Sequence, residues 1–184
     1  MIQLSTFMWA MALLFGYIGF LRGFSKEMIS TAGIILGLFA LFQFNDTITQ
    51  LLITMPAEQG FLLRAIGFGL VVFFAYHDRT GEIAQSKKSR GSREDNRRDE
   101  LQTNILGAIL GFTNGYLVWG SLWYFMHITN YPLSPYISAP IAGSYSANFI
   151  EYLPLFVLGG GPAGDGNLLA GLMIVLFLIV LIVI

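Results

Sequence analysis

Long apolar runs separated by short polar or proline-broken segments set the pattern of this 184-residue chain. A membrane-spanning helix takes about 20 apolar residues, within a range of roughly 17–25. Five stretches approach that length: Leu4 to Leu21, Met28 to Phe44, Phe61 to Tyr76, Ile105 to Met126, and Leu168 to Ile184. The pattern predicts an all-α integral membrane protein with about five transmembrane helices. The first stretch does not read as a cleaved signal peptide. Met1 to Gln3 carries no Lys or Arg, and no small-residue cleavage site follows.

Composition agrees with a lipid solvent. The chain is 55% hydrophobic and 11% charged, against about 25% charged residues in a soluble domain. The charges are also segregated. Arg22 and Lys26 lie between the first two stretches, and Arg79, Lys87, Lys88, Arg90, Arg93, Arg97 and Arg98 lie between the third and fourth. Segments 45–60 and 127–167 contain no Lys or Arg, and all six prolines fall within them. By the positive-inside rule the two basic connections are cytoplasmic, with the N-terminus outside and, after an odd number of spans, the C-terminus inside. Absence of Cys removes thiol and disulfide chemistry. No basic surface suggests a nucleic-acid partner; the bilayer is the expected one.

Three regions follow. Residues 1–126 form a core of four membrane helices, with a flexible, charged cytoplasmic loop at 77–104. Residues 127–167 form an outer segment rich in Pro and Tyr, in which "SANFIEYLPLFVL" is expected as a short amphipathic helix on the membrane interface. Residues 168–184 form a C-terminal transmembrane helix.

The stretch "GYIGFLRGFSKEMIS" interrupts the first two spans with charge. Arg22 and Lys26 are one helical turn apart and can reach lipid headgroups, while Glu27 suits the positive end of the second helix. This anchoring role is the expectation; an Arg22–Glu27 charge pair is the functional alternative. Small residues form faces on three helices: Ala12, Gly16, Gly19 and Gly23 on the first, Ser30, Gly33, Gly37 and Ala40 on the second, and Gly107, Gly111 and Gly115 on the fourth. Lipid gives no hydrophobic reward for helix association, so such faces let backbones approach and predict a glycine-packed bundle. They are expected to meet within one chain rather than between copies. Asn104 and Asn114 share the last face and are expected to hydrogen-bond across helices. Arg64 lies inside the third stretch; it can snorkel to the outer surface, or pair with Glu58 or Glu151.

Little points to catalysis. "GGGPAG" fits G-x-G-x-x-G at Gly159, Gly161 and Gly164, but no strand-helix unit surrounds it, so it reads as a linker. His77 and His127 fall on opposite membrane faces and cannot share a metal. No catalytic residue, metal or cofactor is expected.

Arg22, Gly23, Phe24, Lys26 and Glu27 resemble the first signature of the colicin V production protein family, in which a glycine-containing helix leads into Arg-Gly-Phe, a basic residue and Glu. "NILGAILGFTNG", with Gly107, Gly111 and Gly115, resembles its second. The resemblance covers roughly residues 4 to 126 and continues loosely into the Pro-rich region. Thr103 and Asn104 stand where the family often has Asp-Arg, Asn114 stands where it has a later Arg, and an early acidic residue has no counterpart. The resemblance implies an inner-membrane protein linked to toxin production or export, usually with four spans. The expected function is non-enzymatic scaffolding or assistance of toxin production, export or an envelope process. The alternatives are an accessory subunit of a larger membrane complex, with membrane-protein partners or as a homo-oligomer, and a small oligomeric transporter or channel.

Overall fold

The computed structural model describes residues 3–77, 93–161 and 164–183. Arg79, Lys87, Lys88 and Arg90 of the basic connection, Pro162 of the glycine-rich linker, and Ile184 lie outside them. Among the described residues the chain is helical with no strand. The helices are α1 (Leu4–Arg22), α2 (Phe24–Gln43), α3 (Asn45–Leu51), α4 (Ala57–Tyr76), α5 (Arg93–Ile128), α6 (Tyr145–Asn148), α7 (Pro154–Gly159) and α8 (Asn167–Val183). α1, α2, α4 and α5 are long and apolar enough to cross a membrane. α8, the expected fifth span, has 17 residues, which is at the lower limit of the usual range. The protein is thus an all-α, multi-pass membrane protein.

The helices alternate in direction. Gly19 of α1 meets Gly107 and Gly111 of α5, and Ala12 meets Gly115, so these two helices run antiparallel. Gly33 and Gly37 of α2 face Ala75 and Val71 of α4 in the same opposed sense. Phe42 at the end of α2 packs on Gly166 just before α8, which then returns along α2. Segments 22–27 and 76–77 and the described start of α5 therefore gather at one end, and segments 44–57, 128–161 and 164–166 at the other. Both basic connections attach to the first end.

The α1–α5 seam is made by backbone. A Cβ added at Gly111 would lie 2.9 Å from the Gly19 Cα, and one at Gly115 would lie 2.7 Å from the Ala12 Cα. The glycine faces thus meet inside one chain, with dispersion between closely packed backbones replacing the absent hydrophobic drive. Deeper in, Ile34, Ile35 and Leu38 are fully buried, and Phe68 meets Phe125 edge to face with centroids 5.9 Å apart.

Several boundaries differ from expectation. α4 starts at Ala57 rather than Phe61, because Pro56 is extended (φ −55°, ψ 148°) and the helix begins directly behind it. That lengthens the short third stretch to 20 residues. α5 starts at Arg93, so the end of the expected flexible loop, 93–104, is helical. Arg, Glu, Leu and Gln are good helix formers. At 36 residues the helix is about 54 Å long, more than a bilayer core of about 30 Å, so polar turns can project beyond lipid.

The expected single amphipathic helix is instead α6, a 3-10 turn (Phe149–Tyr152) and α7. Pro154 lacks an N–H, and Leu153 before it is extended (ψ 144°), which divides the segment. These pieces also pack onto the bundle. Leu153, Pro154 and Leu155 are buried, and the Ser5 and Ser146 hydroxyls are 2.8 Å apart.

Candidate functional site

Glu27 is wholly buried, at 0% exposure, on the inward stripe of α2 that also carries Ser30, Ile34 and Leu38. A carboxylate there needs donors, since an isolated ion is strongly disfavoured in an apolar interior. Three helices supply them. Arg22 Nη1 of α1 donates to Oε1 at 2.9 Å. Tyr76 Oη of α4 donates to Oε2 at 3.0 Å, and Asn114 Nδ2 of α5 donates to the same oxygen at 2.8 Å. The Arg22 guanidinium lies over the Tyr76 ring, 4.5 Å from its centroid, and also donates to Ser30 Oγ at 3.2 Å. Ser30 Oγ in turn donates to the Ala75 carbonyl of α4 at 3.0 Å. The cluster joins α1, α2, α4 and α5.

Gly23 makes this possible. Its φ of +81° and ψ of 168° end α1 and start α2 within a single residue, a conformation that side-chain-bearing residues rarely adopt. Its N–H donates to the Gly19 carbonyl at 2.9 Å, and its carbonyl accepts from the Glu27 N–H at 3.2 Å. The turn brings the last residue of one helix over the first turn of the next. A Cβ on Gly23 would also come within 3.3 Å of Thr103 Cγ2.

The lipid-anchoring expectation for Arg22 is therefore corrected. Its guanidinium turns inward because a buried carboxylate lies within reach, and a low dielectric strengthens that attraction. Lys26 lines a groove of about 580 Å³ together with Arg22 and His77, and Phe24, the first residue of α2, is half-buried. Asn114 fulfils the cross-helix expectation, with its Oδ1 buried and without a partner among the described residues. Its NH2 side must face Glu27, because its oxygen would meet a second acceptor. Asn104 lies near Gly23, its Oδ1 3.8 Å from where a Cβ would stand.

Arg64 occupies a separate buried site. Its Nη2 donates to Thr49 Oγ1 at 3.0 Å and its Nη1 to the Gly60 carbonyl at 3.4 Å. The expected carboxylate partners stay away. Glu58 is exposed and, six residues earlier on α4, lies about 240° around the helix; Glu151 is exposed on the 3-10 turn. In the glycine linker, Gly160 and Gly161 have φ of +89° and +81° and connect α7 towards α8, with no strand before them.

The sequence reading missed Tyr76 as a donor and Ser30 as more than a small packing residue. Glu27 and Ser30 are three residues apart and share a helical face, a signal that could have placed both inward. Nothing in the sequence marks Tyr76 for this role.

Comparison with known proteins returned no match among curated proteins or solved structures. The sequence model of the colicin V production protein family matches residues 4–154, which include the Gly23 turn, the buried cluster and the whole α1–α5 seam. The match runs beyond the roughly 4–126 covered by the motifs and takes in α6 and the start of α7. With most of its length matched, this multi-pass membrane protein belongs to the colicin V production protein family.

Proposed function

We propose that the protein is a non-enzymatic component of the bacterial inner membrane that scaffolds or assists toxin production, toxin export or a related envelope process. In this reading the Arg22 end faces the cytoplasm, the N-terminus lies outside and α8 runs inward. The observation that carries it is the tying of four helices through one buried carboxylate. Glu27 is fully buried and accepts from Arg22, Tyr76 and Asn114, so most of the roughly four acceptor sites of a carboxylate are used in holding four helices together. That is the chemistry of a clamp. A reaction centre or ion path would keep a group available to substrate or water.

A second reading, an accessory subunit of a larger membrane complex, is favoured by open glycines on two of the long helices. A Cβ on Gly67 or Gly69 of α4 or on Gly171 of α8 would have nothing within 4 Å, so these positions allow another helix to approach. Purification of the full chain in mild detergent separates the readings. A scaffold is expected to elute without a stoichiometric partner. A fixed-ratio partner that Gly67→Leu releases would establish the subunit reading. Solute flux in reconstituted vesicles, abolished by Asn114→Ala, would replace both with a transporter.

A further inference from the structure

The end of the bundle opposite Glu27 carries a different kind of site. Arg64 is 9% exposed and lines a cavity of about 490 Å³ between the ends of α2 and α5, α3 and the start of α4. Small-molecule sites usually span about 300–1,000 Å³. Arg64 carries the only formal charge among the lining residues. A guanidinium has five N–H donors and does not lose its proton in proteins. Thr49 and Gly60 engage two of those donors, and no carboxylate among the described residues pairs with the group. A buried cation without a counter-ion is costly, and an anion in the cavity relieves that cost.

Other features of the cavity favour an anion. Ala57, the first residue of α4, lines it, and no side chain caps that helix end, so the positive end of the helix dipole borders the cavity, offset in part by the exposed Glu58 in the same turn. At the end of α5 the Thr129 hydroxyl already donates to the Phe125 and Met126 carbonyls, which reduces the opposing negative character there. Phe42, Ile53 and Leu155 supply an apolar wall. The combination suits an oxyanion carried on an apolar body, and the guanidinium fork matches phosphate geometry.

We propose that this cavity binds the headgroup of an anionic phospholipid, the phosphate-bearing amphiphile a bilayer supplies, with Arg64 as its counter-ion. The test uses the full-length protein in detergent and titrates soluble dihexanoyl phosphatidylglycerol, dihexanoyl phosphatidylcholine and inorganic phosphate. The anionic lipid is expected to bind at least about tenfold more tightly than the zwitterionic one, the size of one charge-assisted interaction. Arg64→Gln should remove that preference, and Arg64→Lys should restore part of it. If Arg64→Gln does not fold, Ala57→Trp at the exposed mouth should weaken phosphatidylglycerol binding by obstruction. Equal affinity for the two lipids, or wild-type binding in the folded variants, would overturn the proposal. Inorganic phosphate binding as tightly as phosphatidylglycerol would overturn it too, by making this a site for a free anion.

Discussion

At the residue scale the central fact is the burial of one carboxylate with one cation. Breaking such a pair leaves the remaining charge in an apolar interior, typically at about 3–5 kcal/mol. Arg22→Met is therefore expected to lower the stability of the detergent-purified protein by roughly that amount, read as a fall in its unfolding midpoint. Arg22→Met combined with Glu27→Met should recover part of the loss, because the stranded charge is gone. A double variant less stable than either single one would contradict this account. The cluster was half legible. Glu27 repeats with Ser30 and Ile34 at helical spacing, so its inward direction could be read. Tyr76 could not, because it comes from a helix whose angular position around α2 is fixed only by packing. Arg64 shows the same limit in part: Gly60 lies one turn before it on α4 and is a local partner, but Thr49 reaches it only through the placement of α3.

At the element scale the α1–α5 seam decides the architecture. Four-residue glycine spacing identified the faces on both helices, since that spacing keeps positions on one side of a helix. It could not say which face meets which, because glycine offers no side-chain complementarity to read. The structure pairs them within one chain, and the absence of native Cys allows a direct check. A Cβ at Gly16 would lie 3.4 Å from the Phe112 Cβ, close to the span of about 3.5–4.5 Å across a disulfide. Gly16→Cys with Phe112→Cys should oxidise to an intramolecular cross-link that leaves the protein monomeric on a non-reducing gel. A cross-linked dimer would instead assign the seam to two copies. The segment 145–159 was less legible because its composition suited one helix while Pro154 and the extended Leu153 divide it.

At the scale of the whole molecule, composition was the clearest guide. With 11% charge the chain cannot cover a water-facing surface, and outward Leu13, Leu63, Phe73 and Phe177 suit acyl chains. Alternation of the long helices brings the attachments of both basic connections to one end, matching the charge asymmetry read from sequence. A thiol label at Lys88→Cys is thus expected to react only after the cytoplasmic side is opened; labelling in intact cells would reverse the orientation. The cluster also bears on synthesis. Tyr76 and Asn114 lie 49 and 87 residues downstream of Glu27, so the ribosome delivers the first hairpin before two of its three donors exist. The nascent chain can lock only when α5 arrives, and fragments stopping short of Asn114 should be cleared by quality-control proteases.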